Sequence, residues 1–245
     1  MDPSLYPRMA EVEDTHWWFA GRRALCDRLL DRLKLPSDAT ILEPGCGTGG
    51  NFAMLAKRGR VFAMDTEESA VNFAASRKIA EVARGALPDR IPFEGTNFDL
   101  IVMTDVLEHL DDPVGSLRAL RARLKAGGSL LLTVPAMPWL WSAQDVLLHH
   151  RRRYRTQELR SSLEAAGFQV DYLGHCNVVL FPVIALAKVA LRLISRGRDA
   201  KIKDDLTVPW APLNRVVYRL YSSERRLLGR VTIPFGVSLI ALARA

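Results

Sequence analysis

A chain of 245 residues, 49% apolar and 25% charged, has the ordinary composition of a soluble globular protein and the length for one cored domain with an elaboration. Cys26, Cys46 and Cys176 are far apart, odd in number and in no CxxC or metal-type spacing, and Met1-Asp2-Pro3-Ser4 lacks the basic and apolar regions of a signal peptide. Both features argue against a secreted protein and for a reduced, cytosolic one. The net charge of +7 is concentrated in residues 149–230, where 16 Lys/Arg stand against seven Asp/Glu. Such a surplus suits an anionic partner (nucleic acid, lipid headgroup or phosphorylated substrate) or a solvated basic face.

Residues up to about Leu35 read as helical, with an aromatic centre at His16-Trp17-Trp18-Phe19 and then Leu25, Leu29, Leu30 and Leu33 at helical spacing. A first strand is predicted at about 39–43 and a helix at about 49–57. Between them Gly45, Gly47 and Gly49 alternate, followed by Gly50. Glycine there supplies φ > 0 for a tight turn and lets a ligand approach bare backbone. The amides opening the next helix point at whatever occupies that turn. Arg60–Asp65 is a second strand ending in an acid, 81–84 a third, and Phe98–Met103 a fourth, ending at Thr104-Asp105. Asp112-Pro113 starts a helix running to Leu124, closed by Gly127-Gly128. Strands at 129–134, 168–172 and 237–242 and a helix at 156–166 complete the pattern. Alternating strands and helices mean βαβ units and a parallel sheet.

Residues 176–230 break the rhythm. Asn177–Ile194 is almost wholly apolar, but its uncharged run, Asn177–Ala187, is too short to span a bilayer. Lys188 and Arg192 share one face beside Arg196, Arg198, Lys201 and Lys203, as in a helix lying in a membrane interface or a core helix with one wet edge. A second helix, 213–228, places Leu213, Val216, Val217, Leu220, Leu227 and Leu228 on one face. The pair reads as a helical lid.

Gly45-x-Gly47-x-x-Gly50 with Asp65 about 20 residues on matches a dinucleotide fingerprint. Glu43 directly before the glycines would repel a pyrophosphate, however, and suits a ligand carrying an amine. The carboxylate of Asp65 can accept the ribose hydroxyls of any adenosyl ligand.

Glu43-Pro-Gly-Cys-Gly-Thr-Gly-Gly, Val61 to Asp65, Phe98-Asp-Leu-Ile-Val, Asp105-Val-Leu-Glu-His-Leu-Asp-Asp-Pro and Leu124-Lys-Ala-Gly-Gly resemble, in order and spacing, class I S-adenosylmethionine-dependent methyltransferases. His16-Trp-Trp-Phe-x-x-Arg-Arg, Pro135-x-x-Pro-Trp139-Leu-Trp and His150-x-Arg-Arg-Tyr154 are similar to a bacterial small-molecule group related to the ubiquinone-biosynthesis O-methyltransferases. The resemblance implies an α/β, Rossmann-like fold. Its seven-stranded, mostly parallel sheet ends in an antiparallel last strand, with an N-terminal helical flap (1–35), a cofactor-binding core (36–175), a helical lid (176–230) and a last core strand (231–245). It implies S-adenosyl-L-methionine as cofactor. Gly45, Cys46, Gly47 and Gly49 would pack on its methionine part, Asp65 and Thr66 would lie at the ribose, and Thr104 and Asp105 would border the sulfonium. Arg22 or Arg23 would pair with its carboxylate. The family's acid after strand three is missing: Ala86-Leu87 stands there, leaving the adenine contact to backbone or to Asp89.

Sulfonium methyl transfer needs alignment and exclusion of water, plus a base for a hydroxyl acceptor. His149 and His150, on a loop at the sheet edge, are the candidate bases, and Tyr154 a candidate donor. His16, Trp17, Trp18, His109, Trp139, Arg152 and Arg153 are candidate substrate contacts. Asp105, Glu108 and His109 match an arrangement that holds a divalent metal in some ubiquinone O-methyltransferases, but helix capping is the favoured role and no metal is expected. The expected acceptor is a small amphipathic or lipid-like, anionic molecule methylated on oxygen, with an anionic inner-membrane surface as a peripheral contact. A dinucleotide oxidoreductase, a nucleic-acid methyltransferase (disfavoured because the basic residues are not interleaved with stacking aromatics) and a non-catalytic binding protein are the alternatives. The oligomeric state stays open.

Overall fold

The computed structural model describes residues 3–194 and 206–245. Seven strands form one sheet: β1 (Thr40–Pro44), β2 (Arg60–Asp65), β3 (Glu81–Arg84), β4 (Phe98–Thr104), β5 (Leu124–Pro135), β6 (Gln169–Cys176) and β7 (Ser238–Arg244). Their order is β3-β2-β1-β4-β5-β7-β6, and β7 runs antiparallel to both neighbours. This is the Rossmann-like methyltransferase topology, as the resemblance implied.

Alternate residues of the strands enter opposite layers, the period-2 geometry of a pleated strand. Ile41, Leu100, Val102, Leu131 and Ile240 pack with Leu25, Leu29 and Leu30 of α2 (Trp17–Leu30) and with Phe52 and Leu55 of α3 (Phe52–Leu55). Leu42, Ile101, Met103, Leu130, Leu132 and Leu239 pack on the other face with helices at Pro113–Ala122 and Thr156–Ala165. Burial on both faces explains why these strands read as continuous apolar runs rather than alternating ones.

Several boundaries differ from the sequence expectation, among them the helix predicted at about 49–57, which is Phe52–Leu55. The predicted N-terminal helix is two, α1 (Tyr6–Val12) and α2, because His16 adopts an extended conformation and its Nδ1 accepts a hydrogen bond from the Trp18 amide, starting a new helix. Gly127-Gly128 does not close a helix; it lies within β5, whose pairing with β4 is shifted between Phe98 and Leu100. Strand β6 runs four residues beyond 172, to Cys176, held by β7. The lid helices are Phe181–Ile194 and Ala211–Ser223.

The second lid helix turns its apolar stripe outward. Leu213, Val216 and Leu220 are exposed, and Tyr221 and Ser222 are buried instead; past the helix end Leu227 is exposed, while Leu228 of the predicted stripe is buried in the core. Tyr221 stacks on Trp18, with ring centroids 5.7 Å apart, and meets Trp17 edge-on at 6.1 Å. The Trp17 amide donates to Asn214 Oδ1 (2.9 Å) and Asn214 Nδ2 to the Thr15 carbonyl (2.9 Å). The aromatic centre of the flap therefore anchors the lid. Arg196, Arg198, Lys201 and Lys203, and the side chain of Arg192, lie outside the described residues.

Candidate active site

The parallel strands β1 and β4 lie side by side, and their connections leave towards opposite edges of the sheet, so a crevice opens beyond their carboxyl ends. The glycine loop fills one wall. Gly45, Gly47 and Gly49 have φ of +67°, +54° and +87°, which side chains rarely adopt. A Cβ on Gly45 would lie 2.4 Å from Val106 Cγ2, so the loop also needs glycine to pass the turn after β4. Asp65, at the end of β2, accepts from the amides of Gly47 (2.9 Å) and Glu67 (3.1 Å), which ties the loop to the acid in one rigid unit.

Glu43, at the end of β1, is 1% exposed. One of its oxygens accepts from Asn51 Nδ2 at 2.7 Å, the same amide reaching Thr104 Oγ1 at 3.1 Å; the other has no partner. Burial pushes its carboxyl up to about 8, against the lowering effect of Asn51 and Arg22. Across the crevice Arg22 is ion-paired with Asp105, while its Nε is buried and unpartnered. Asp105 sits at φ +54° and accepts from Thr133 Oγ1 at 2.9 Å.

Helix α1 lies over the loop. A Cβ on Gly47 would meet Met9 Cε at 2.8 Å, and buried Glu13 accepts from Thr48 and from Arg77 (2.6 Å). Tyr6 is buried near Asp65, Glu67 and Cys46, and burial first, then these groups, raise its pKa. Tyr6, Met9 and Glu13 were not legible as site residues, since nothing in their spacing says that their helix crosses the glycine loop.

The other candidates separate. Arg23 donates to the Glu13 and Asp14 carbonyls, at 2.8 and 3.0 Å, and so closes the end of α1 rather than facing Asp105. Thr66 is exposed at the mouth; Ala86 forms a two-residue bridge with Arg90 that turns Asp89 outward to solvent. His16 is a buried helix cap, and Trp139 is 46% exposed against Phe181. Tyr154 is 4% exposed in the core, its hydroxyl donating to the Leu107 carbonyl at 3.4 Å. Arg152 donates to the Leu110 carbonyl (3.0 Å), and Arg153 to Asp145 (2.7 Å) and the Ala136 carbonyl (3.1 Å). Arg152 braces the loop after β4, and Arg153 the one after β5.

Of the two adjacent histidines, His149 is exposed at φ +57° and His150 turns inward. His150 Nδ1 lies 2.9 Å from Asp145 Oδ1, its Nε2 3.8 Å from Glu108 Oε1, and its ring 4.8 Å from that of His109. Glu108 is fully buried with neither oxygen hydrogen-bonded, and burial, then Asp105, hold its carboxyl well above the usual range. Burial, then His150, lowers His109 to about 4, so that imidazole is neutral at pH 7.

A second set of buried polar atoms lies under the lid. Asn177, just past β6 at φ +57°, has both side-chain amide atoms unpartnered; so are the Tyr221 hydroxyl and one oxygen of Glu224, whose other oxygen accepts from the amides of Val178 (2.7 Å) and Val179 (2.8 Å). Buried polar groups normally find partners, so these orphans stand out from the rest of the interior.

S-adenosylmethionine brings an ammonium, a carboxylate, a ribose diol and a sulfonium, and the residues fit it. The free oxygen of Glu43 suits the ammonium, Arg22 the carboxylate and Asp65 the diol. Asp65 and Asp105, joined by Glu43 when it ionises, line a crevice suited to a cation and hostile to a pyrophosphate. Glu43 also sets a pH dependence. The native state holds its proton to about pH 8, whereas an unfolded glutamate loses it near 4.5, so stability falls as pH rises between those values. Glu43→Gln should cancel that contribution, raising Tm at pH 8 by a few degrees, equivalent to about 1–3 kcal/mol. At pH above about 8, where Glu43 is ionised, the same change should weaken cofactor binding roughly 10- to 100-fold through loss of the charged acceptor. Thermal melts across pH and calorimetric titration measure both.

A family model described as a methyltransferase domain matches residues 18–173. A relative from Mycolicibacterium smegmatis, described as an S-adenosylmethionine-dependent methyltransferase, is 29% identical over 182 residues, covering 70% of this chain and 69% of the relative. A ubiquinone biosynthesis O-methyltransferase of Xanthomonas axonopodis pv. citri is 29% identical over 155 residues, covering 56% of this chain and 65% of the relative, just under two thirds of its length. Among solved structures, a Haloferax volcanii methyltransferase in complex with the Trm112 methyltransferase activator superposes with a TM-score of 0.63 at 19% identity, covering 99% of this chain and 94% of that one; identity so low speaks to the fold alone. With that family model spanning residues 18–173, and the glycine loop set between β1 and α3 of that fold, the chain belongs to the methyltransferase-domain family and is a class I S-adenosylmethionine-dependent methyltransferase.

Proposed function

We propose that the acceptor is a small amphipathic, anionic molecule, methylated on oxygen, that enters between the lid and the carboxyl edge of the sheet. The observation carrying this is the pairing of polar orphans with apolar surface. Asn177, Tyr221 and Glu224 would bind a polar head, while Val183 (68% exposed), Leu186 (71%) and Trp210 (70%) on and beside the lid helices offer apolar surface to a tail. The oxygen target draws on the similarity to ubiquinone O-methyltransferases.

Transfer from a sulfonium is an in-line displacement: the C–S bond breaks as the O–C bond forms, and the acceptor hydroxyl releases its proton. The chain's own groups align the partners and exclude water. Arg22 and Asp105 fix the crevice, α1 closes it, and the Glu108–His109–His150 cluster beside Asp105 stands where the acceptor's proton leaves.

Among the described residues no helix is long and apolar enough to cross a membrane. The outward apolar stripe of the second lid helix, with Arg215, Arg219, Arg225, Arg226 and Arg230 nearby, would instead rest on an anionic bilayer. Incubation with methyl-labelled cofactor and a lipid-plus-metabolite extract should label an organic-soluble acceptor, identified by mass spectrometry; label confined to RNA or to a water-soluble amine would overturn the acceptor class. Flotation with vesicles containing phosphatidylglycerol should carry the protein up, and absence from every vesicle fraction would remove the membrane contact.

A further inference from the structure

We infer that Glu108, His109 and His150 form a binding site for a divalent first-row transition ion such as Zn²⁺, at the acceptor end of the crevice. Each offers one ligand atom, and the three atoms lie within 4.8 Å of one another. Their surroundings are those of metal ligands rather than of an ordinary ion-pair cluster. His150 Nδ1 is engaged by Asp145 at 2.9 Å, and Asp145 is itself fixed by Arg153 (2.7 Å) and the Ser142 amide (2.8 Å). His109 Nδ1 faces the His149 carbonyl at 3.3 Å. Each ring thus has its Nδ1 side occupied by an acceptor, which places the proton there and leaves Nε2 with a lone pair, as in carboxylate–histidine–metal arrangements. The third ligand, Glu108, is 0% exposed with both oxygens unpartnered, a cost that capping a short turn does not explain and a bound cation offsets.

The donor set also separates this site from the Asp105-Glu108-His109 set that the sequence resemblance suggests. Asp105 is turned to Arg22 and Thr133, and His150, 41 positions beyond His109, takes its place. Two imidazoles and one carboxylate favour Zn²⁺ and its neighbours over Mg²⁺, which prefers oxygen ligands and water. An ion held by three side chains keeps a position open for water or an acceptor oxygen and lowers the pKa of a hydroxyl bound there. That role rests on the methyl-transfer reading above; the binding of the ion does not.

Tag-free protein stripped with a chelator tests this. It should bind one equivalent of Zn²⁺ in competition with a chromophoric chelator, show visible d–d absorption when loaded with Co²⁺, and ignore millimolar Mg²⁺. His150→Ala and Glu108→Gln should weaken Zn²⁺ binding roughly 100-fold or more, with far-UV circular dichroism confirming that each is folded, whereas Asp105→Asn should bind as wild type does. Failure of the wild type to bind one equivalent, or loss of binding in Asp105→Asn but not in His150→Ala, would overturn the site. Zinc binding without transfer to any acceptor would leave the metal site standing and count against the acceptor reading.

Discussion

Asp65→Ala should abolish methyl transfer and reduce cofactor affinity by roughly 10²-fold or more, the largest functional loss expected from one substitution here. Two contributions combine. On the proposed binding mode the carboxylate would accept from the ribose diol, and hydrogen bonds to a charged group contribute about 1.5–3 kcal/mol each. It also holds the Gly47 and Glu67 amides, so its removal frees the glycine loop before any ligand arrives. Calorimetric titration with S-adenosylhomocysteine and single-turnover labelling measure the two effects. Asp65→Asn separates them, because the amide oxygen can still hold one backbone amide while the charge is lost; it should recover part of the thermal stability and little of the binding. An Asp65→Ala protein that binds and transfers normally would remove Asp65 from the site.

Tyr221→Ala should cost about 3–5 kcal/mol of stability, as expected for deleting a fully buried aromatic. The ring is the contact by which the lid grips the flap, stacked on Trp18 and pressed onto Gly21, where a Cβ would lie 2.2 Å from Tyr221 Cδ1. Gly21→Ala gains about 1 kcal/mol of helix propensity but overpacks the contact at about 1–3 kcal/mol, so it should destabilise on balance. In the double variant the alanine Cβ enters space the ring has left, and the two losses should sum to less than their separate values by more than 0.5 kcal/mol, roughly the scatter of independent sites. Urea unfolding of the four proteins decides this; strict additivity would mean that the ring and Gly21 do not compete. Tyr221→Phe keeps the ring and removes an unpartnered hydroxyl, so its stability should be unchanged or higher. A rise in KM for the acceptor without loss of stability would place that hydroxyl on the substrate.

The strands and the glycine loop were legible because their causes are local. Ile41-Leu42, Phe98–Met103 and Leu130–Val134 are apolar wherever both faces are buried, and Gly45, Gly47 and Gly49 stand where φ must be positive. Acids at strand ends, Glu43 and Asp65, could be placed by counting from that loop. Boundaries failed where pairing overrode propensity: β6 extends to Cys176 because β7 supplies hydrogen bonds, and Gly127-Gly128 is drawn into β5 although glycine weakens a strand.

By itself, then, the sequence determined the alternating α/β pattern and the glycine loop with acids on either side, since periodicity, turn chemistry and short-range spacing encode these, while the strand order and the cofactor followed from the resemblance to S-adenosylmethionine-dependent methyltransferases. Only the tertiary structure decided which of Arg22 and Arg23 faces Asp105, that Arg152, Arg153 and Tyr154 brace the loops after β4 and β5 rather than open onto them, and that His150 meets Glu108 and His109. It also turned Leu213, Val216 and Leu220 of the lid outward and buried Tyr221, Asn177 and Glu224. Those relations join residues tens to about two hundred positions apart, and they depend on where helices cross the sheet edge. Sequence spacing carries no record of such crossings, because many sequences with the same periodicity would dock their helices at different angles and heights.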